Sequence, residues 1–337
     1  MHGTSEILSL SRYRSPVDAQ QRTLVTGASG FLGAHVVAAA LARARTSATL
    51  SEPYGPPVFA QSRGSSLLVP RFGGGPRDAA EWLEFDFLEF DAGALLDELA
   101  PTEVIHCAAL SSAAACEANP GAAMRLHRET SRRIASWCAE KGAKLVHVST
   151  DLVFGAEDAP ATGFTEDSDT GPVSVYGRTK LEAEWAVLEA APTASVARLP
   201  LLYGNSGGRG LGASDSILES VEAGVSPKLF VDEWRTPLEV SNAAEALVEL
   251  LEFESGGPVH LAGPDRINRY VFGIQVLRAM GLSEPEAHGE LEGVSQAQVD
   301  TGAPRSRDVS LDATLASEHL ETKLLGVVQG LERAIAP

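Results

Sequence analysis

From residue 22 to about 200 the chain alternates short runs of Val, Ile, Leu and Ala with longer stretches in which apolar residues recur at helical spacing. Short apolar runs bounded by turn residues read as strands buried on both faces, and their alternation with helices predicts a parallel sheet covered on both sides. Candidate strands are Thr23–Thr26, Val58–Ser62, Trp82–Asp86, Val104–Cys107, Lys144–Ser149 and Ser195–Leu199. Helices are expected at Ala34–Ala42, Ala92–Leu99, Ala122–Lys141 and Val175–Leu188, the last unable to begin earlier because Gly171-Pro172 precedes it. Segments 46–57 and 64–76, rich in Ser, Pro and Gly, read as surface loops.

Beyond Tyr203-Gly204 the rhythm loosens. A Gly-rich loop at 206–212 leads to an expected helix at Ser214–Glu222, a strand at Lys228–Val231, a helix at Asn242–Phe253, a strand at Val259–Ala262 and a helix at Arg269–Met280, with an ambiguous tail. No internal repeat or linker divides the chain. The pattern predicts an α/β fold, a doubly wound parallel sheet with a small interleaved C-terminal α/β lobe: 1–21 as a flexible arm, 22–205 as the sheet domain also receiving about 234–264, and 206–233 with 265–337 as the smaller lobe.

Composition narrows the function classes. With 337 residues, 44% of them apolar, the chain can bury a large core, and no apolar stretch reaches the length of a membrane span, so a soluble, cytoplasmic protein is expected. A net charge of −18 argues against a nucleic-acid partner, which needs clustered Lys and Arg. Cys107, Cys116 and Cys138 form no Cys-x-x-Cys pair and read as reduced buried thiols. His106, His127 and His147 fall on different elements without ligand-like spacing, so no metal site is expected. The first residues carry no signal-type apolar core, although a targeting role for 1–21 stays open.

Two motifs carry chemistry. Thr23–Thr26 runs into Gly27-x-x-Gly30-x-x-Gly33 and then a helix, a phosphate cradle in which Gly27 permits the sharp turn, Gly30 admits a pyrophosphate to bare backbone and Gly33 lets helix and sheet pack closely. Gly27, Ser29, Gly30, Phe31, Leu32 and Gly33 are therefore the expected dinucleotide contacts, with helix N-terminal amides facing the anion. The second motif is Tyr176 with Lys180, four apart on one helix face, so that the ammonium is expected to lower the phenol's pKa and bring proton exchange within reach of neutral pH. Thr150, ending an apolar run, is placed to hold a substrate oxygen by a second hydrogen bond.

Nicotinamide-cofactor choice rests on the end of the second strand, where a carboxylate favours NAD and an Arg favours NADP. Ser62-Arg63 offers no acid, which points to NADPH with NADH left open. Asp86-Phe87 is the expected adenine contact, and Ala108-Ala109-Leu110 is expected to pass beneath the nicotinamide side.

Taken in order, Val148-Ser149-Thr150-Asp151-Leu152-Val153-Phe154, Val175-Tyr176-Gly177-Arg178-Thr179-Lys180-Leu181-Glu182-Ala183-Glu184, Asp232-Glu233-Trp234-Arg235-Thr236-Pro237 and Arg305-Ser306-Arg307-Asp308-Val309-Ser310-Leu311-Asp312 make the chain resemble the extended short-chain dehydrogenase/reductase superfamily, and within it the dTDP-4-dehydrorhamnose reductase family, over roughly residues 22 to 325. The resemblance implies a Rossmann-like domain for NAD(P)H and a small lobe for a nucleotide-linked 4-keto-6-deoxy sugar reduced at C4. It makes Tyr176 the proton donor, Lys180 its partner and a grip on the nicotinamide ribose, Thr150 the hydroxyl on the keto oxygen, and Asp151 and Leu152 part of the sugar site.

Sugar 4,6-dehydratases of similar fold place Glu after the Thr-Asp pair; Leu152 stands there and cannot act as acid or base, which disfavours dehydration. Departures from the reductase pattern are Leu152 for an aromatic residue, Ser306 for Pro and His127 for Asn, the histidine reading as a structural replacement rather than a base. Trp234 and Arg235 fall where the lobes meet, and Arg235 either contacts a substrate diphosphate or braces the cleft. For Arg305 and Arg307, phosphate contact and surface pairing are both open. Two rivals remain: a non-catalytic NADP-binding subunit resembling the methionine adenosyltransferase β subunit, and a reductase or epimerase acting on another carbonyl or sugar nucleotide. A homodimer is a further open assembly.

Overall fold

A computed structural model of the chain describes residues 21–47, 58–64, 80–253 and 256–335. Residues 1–20 of the expected arm and most of the two expected loops lie outside the described residues.

Seven strands form one parallel sheet in the order β11-β6-β5-β4-β1-β2-β3. They are β1 (Thr23–Thr26), β2 (Val58–Ser62), β3 (Ala80–Glu84), β4 (Glu103–His106), β5 (Lys144–Thr150), β6 (Ser195–Leu199) and β11 (Gly257–His260). Each of β1, β2 and β6 spans the residues expected from its apolar run. By contrast, β3 begins and ends two residues earlier than expected because it pairs with β2 from Val58↔Ala80 to Ser62↔Glu84, which leaves Asp86 to form the turn beyond it. A similar two-residue shift places β11 at Gly257–His260, where it continues the sheet from β6.

Chain direction through the sheet reverses at β1, with β2 on one side and β4 on the other. In open parallel sheets the crevice beyond the strand ends at such a point is where ligands bind. On one face of the sheet, α1 (Phe31–Ser47) lays Val36, Val37 and Ala40 into a core shared with Ala243, Ala244 and Leu247 of α8 (Val240–Glu249). The opposite face is covered by α2 (Ala92–Leu99), α5 (Thr130–Lys141) and the end of α6 (Val175–Ala190), which contribute Leu95, Leu96, Ile134, Trp137 and Val187.

The single helix expected over Ala122–Lys141 is broken. After α3 (Ala113–Ala118), Asn119 caps α4 (Pro120–Met124), and the chain then widens into a π-helical turn over Arg125–Glu129 before α5. Its cause is His127, which turns inward to bond with Leu110 and Thr179 and shifts the Thr130 amide onto the carbonyl of Arg125.

The C-terminal lobe has its own core, built on Tyr203, Ile217, Leu229, Phe272, Leu277, Leu291 and Leu331. Around it lie β7 (Leu202–Tyr203), α7 (Ala213–Glu222), β8 (Lys228–Phe230), β12 (Ile267–Asn268) and α9 (Arg269–Ala279), while β9 (Trp234–Arg235) pairs with β12 and β10 (Leu238–Glu239) puts Leu238 into the core beneath α1 and α8. The tail adds α10 (Glu284–Glu290), β13 (Glu292–Val294, paired with β8), α11 (Thr314–His319) and α12 (Val327–Ile335). No helix of the described residues is long and apolar enough to cross a membrane.

Candidate active site

A cleft of about 980 Å³ runs from the glycine turn after β1 to the start of α6. Gly27 leaves β1 with φ +64, and a Cβ there would stand 2.8 Å from the Ala108 nitrogen, so the turn demands glycine twice over. A Cβ on Gly33 would stand 2.2 Å from the Gly27 carbonyl oxygen. The sequence reading missed Gln61, which fastens this turn: its Oε1 accepts from the Gly27 amide at 2.9 Å and its Nε2 donates to the Phe85 carbonyl. An amide inside the apolar run Val58-Phe59-Ala60 was the available signal.

Gly27, Ser29, Gly30, Phe31, Leu32, Gly33, Arg63, Asp86, Phe87, Ala108, Ala109 and Leu110 all line the cleft. Ser62 is not among its lining; it is buried and its hydroxyl donates to the Gly64 carbonyl, closing the turn that presents Arg63. Asp86 accepts from the Leu88 amide at 2.8 Å, shaping the turn beside Phe87. The Ala108–Leu110 segment is pinned at both ends, since the Ala108 amide donates to Thr26 Oγ1 and the Leu110 amide to His127 Nε2 at 3.0 Å.

Because His127 Nε2 accepts, its proton sits on Nδ1, which donates to Thr179 Oγ1 at 2.8 Å, and the Thr179 hydroxyl in turn donates to the Val175 carbonyl. Burial and the charge of Lys180 push this imidazole down to about 3. A neutral ring with both nitrogens bonded ties α6 to the Ala108–Leu110 segment and leaves neither nitrogen open to a ligand.

Ser174 caps α6 by accepting from the Gly177 amide, so the helix opens with Tyr176 facing the cleft. Thr150, the last residue of β5, accepts from the Leu152 amide at 3.2 Å and donates to Asp151 Oδ1 at 3.1 Å, capping a 3-10 turn over Asp151–Val153. Thr150, Tyr176 and Lys180 thus converge on one stretch of the cleft, with Asp151 and Leu152 beside them.

The electrostatics differ from the expectation drawn from spacing alone. Lys180 Nζ donates to the Val148 carbonyl at 2.6 Å and lies 3.3 Å from His147 Nε2. Burial pulls it down to about 8, against the upward pull of Glu184 and Cys107. Tyr176 is raised above the ordinary phenol range, first by burial and then by the Asp151 carboxylate, with the Thr150 hydroxyl pulling the other way. The expected lowering of the phenol by Lys180 is therefore corrected: the ammonium is committed to the β5 backbone, and low local polarity decides the phenol.

At the lobe junction, Asp151, Leu152 and Arg235 line the cleft together with Glu233 and Arg305. Arg305 grips Glu233 through two bonds, Nε at 2.6 Å and Nη2 at 2.7 Å, while Arg235 Nη2 lies 3.4 Å from the same carboxylate. Burial acts upward on Glu233, but the bonds and charges of these arginines hold its carboxyl below the usual range. Asp151 goes the other way: burial raises it to about 6 although Arg235 Nε stands 3.7 Å from its Oδ2. Trp234 does not line the cleft; the Arg266 guanidinium lies over its ring at 4.5 Å. Arg307 is likewise outside the lining and offers its carbonyl to the Trp234 amide. Glu233 was not singled out from sequence, where it is one acid among many.

The sequence model of the family described as RmlD substrate binding domain matches residues 21–337. A probable low-salt glycan biosynthesis reductase, Agl14, of Haloferax volcanii is 31% identical over 223 residues, 65% of this chain and 72% of that protein. Methionine adenosyltransferase 2 subunit beta of Rattus norvegicus is 30% identical, the match covering 65% of each chain. dTDP-4-dehydrorhamnose reductase of Mycobacterium tuberculosis is 34% identical over 60% of this chain and 66% of its own length, so the matches to these last two span just under two thirds of each protein. Among solved structures, dTDP-4-dehydrorhamnose reductase of Bacillus anthracis in complex with NADP superposes with a TM-score of 0.72 at 19% identity, covering 94% of this chain and 98% of that one, which is a likeness of fold.

Proposed function

As the chain belongs to the RmlD substrate binding domain family, within the extended short-chain dehydrogenase/reductase superfamily, we propose that it is an NADPH-dependent reductase of the keto group of a nucleotide-linked 4-keto-6-deoxy sugar, with Tyr176 as proton donor. The observation that carries the reading is the continuity of one cleft from the glycine turn to Thr150, Tyr176 and Lys180. Relatives named as a glycan biosynthesis reductase and a dTDP-4-dehydrorhamnose reductase support it.

The residues present fit a dinucleotide: a glycine cradle that a Cβ would fill, Arg63 at the end of β2, and a pinned backbone at Ala108–Leu110. Arg63 and the absence of an acid at Ser62 favour the extra phosphate of NADPH over NADH. When bound, that cofactor supplies the hydride. Thr150 and Tyr176 offer hydroxyls to the substrate's carbonyl oxygen, and a phenol kept protonated by its surroundings is what a donor to a developing alkoxide requires. Lys180 contributes positive charge at β5, the strand that ends in Thr150, and Asp151 with Arg235 presents an acceptor and donors to sugar hydroxyls. Charged groups at the lobe junction suit a sugar nucleotide better than an apolar terpenoid, steroid or flavonoid carbonyl.

The test is absorbance at 340 nm with NADPH and NADH offered against a panel of nucleotide-linked 4-keto-6-deoxy sugars and simple ketones. Oxidation of NADPH by a keto sugar is expected. Tight cofactor binding with no oxidation of any substrate, together with copurification of a synthetase, would replace this reading with the regulatory one suggested by the relative named methionine adenosyltransferase 2 subunit beta.

A further inference from the structure

Lys180 is buried, whereas Lys141, Lys144, Lys228 and Lys323 are all exposed. Its ammonium meets a carbonyl and an imidazole instead of a carboxylate, since Nζ donates to the Val148 carbonyl at 2.6 Å and lies 3.3 Å from His147 Nε2. Glu184, whose charge acts on it from the same helix, is engaged elsewhere: its carboxylate accepts from Arg198 through both oxygens and from Ser149. Two of the three N–H bonds of the ammonium are thereby directed at β5, and the third remains for the cleft that Lys180 lines.

His147 lies fully buried in the middle of β5, between Val146 and Val148 and on the strand face shared with Leu145. An apolar side chain would satisfy burial there at lower cost. Because Nε2 accepts from an ammonium, the ring proton is on Nδ1, and Nδ1 has no hydrogen-bond partner among the described residues. The neighbouring His106 ring, 5.4 Å away and tilted by 34°, does not provide one, as its two nitrogens are occupied by Thr26 and Ser131. Burial, then the charge of Lys180, then His106 and His127 hold the His147 imidazole well below its ordinary 6.5, so the ring is neutral, as an acceptor must be. Cys107, His106 and His127 face the same ammonium and are uncharged, the thiol pushed up to about 12 and the two rings down to about 3, chiefly by burial.

We propose that His147 is the positioning residue of Lys180, its Nε2 accepting one ammonium proton so that Nζ stays charged against β5 with a single N–H presented to the cleft. Of the two acceptors at this ammonium, the Val148 carbonyl belongs to the strand whatever its sequence, and the imidazole is the one a substitution removes. Losing it favours the neutral amine and lowers the pH at which the proton leaves. The consequence for turnover rests on the reductase reading above; the effect on the ammonium does not.

Nitrogen NMR of the full chain labelled at lysine Nζ follows the titration directly, the Lys180 signal being the one missing from Lys180→Met. His147→Leu is expected to move the Lys180 midpoint down by about one pH unit or more, and the alkaline limb of the reduction rate by the same amount. His147→Gln, which keeps an oxygen acceptor at similar reach, is expected to hold both near their original positions. His147→Asn is polar but too short to reach Nζ, so it is expected to behave as His147→Leu and replaces that variant if the leucine does not fold. A midpoint unmoved in His147→Leu and His147→Asn, or moved equally in all three variants, overturns the role of His147. A moved midpoint with an unmoved alkaline limb overturns its bearing on turnover. The expected titration pattern in a protein that reduces none of the keto sugars upholds the contact and overturns the reductase reading.

Discussion

Gly177 and Leu152 approach so closely that a Cβ on Gly177 would stand 2.1 Å from the Leu152 carbonyl oxygen. The first turn of α6 therefore rests directly on the turn that follows β5, and this contact is what carries Tyr176 to Thr150. Gly177→Ala forces the two apart. Overpacking of this kind costs about 1–3 kcal/mol, and a misplacement near 1 Å in a reacting group costs about a hundredfold in rate. Turnover is expected to fall by that order while NADPH affinity changes little. Wild-type kcat in a folded Gly177→Ala protein would show that the contact does not set the pair.

Tyr176→Phe removes one hydroxyl and almost no volume. Loss of a donor to a developing oxyanion typically costs about 100- to 1,000-fold, so kcat should drop by that factor with dissociation constants for NADPH near the original. Stopped-flow turnover beside fluorescence titration separates the two quantities; a variant with undiminished kcat would rule out Tyr176 as the donor.

If the proposed reduction proceeds at this site, Lys180 is expected to set its pH dependence. Its ammonium, pulled down to about 8 chiefly by burial, faces His147 and the Val148 carbonyl, with Glu184, Cys107, His106 and His127 in its electrostatic surroundings. As pH rises through about 8 the proton leaves, and with it the positive charge that favours the alkoxide, so the reduction rate should decline on the alkaline side. Lys180→Met should be slow and lack that limb. Since the folded pKa lies below the ordinary 10.5, the unfolded chain holds this proton more tightly; Lys180 opposes folding below pH 8, and the opposition fades as pH rises toward 10.5.

How far the molecule could be read in advance depended on whether a feature was local. The runs at Thr23–Thr26, Val58–Ser62 and Ser195–Leu199 became strands with the expected ends because burial on both faces leaves an uninterrupted apolar signature. The break within 120–141 was not legible, since His127 distorts the helix only by finding Leu110 and Thr179, which are distant in sequence. The cleft brought together Thr150, Tyr176 and Lys180 as their spacing suggested, yet the direction of the phenol's shift depended on Asp151 and on burial, quantities that exist only after folding. Gln61 and Glu233 escaped notice for the same reason: each acts through tertiary contacts and belongs to no local motif.

Behind the site lies a buried ion pair whose removal should be felt in stability before chemistry. Arg198 donates to Glu184 through Nε at 3.1 Å and Nη2 at 2.8 Å, the same carboxylate accepts from Ser149 Oγ, and the guanidinium stands 5.2 Å above the Phe154 ring. Both partners are almost fully enclosed, Glu184 at 1% and Arg198 at 4% exposure. Deleting one partner strands the other charge, so Glu184→Ala and Arg198→Met should each cost about 3–5 kcal/mol. Replacing both with apolar side chains, as in Glu184→Leu with Arg198→Met, should restore much of that loss, because desolvation offsets most of what the pair gains by attraction. Urea unfolding of the three variants distinguishes these cases. If the double variant is as unstable as the sum of the singles, the network's value lies in the hydrogen bond that orients Ser149 beside Thr150, and the loss should then appear in turnover as well.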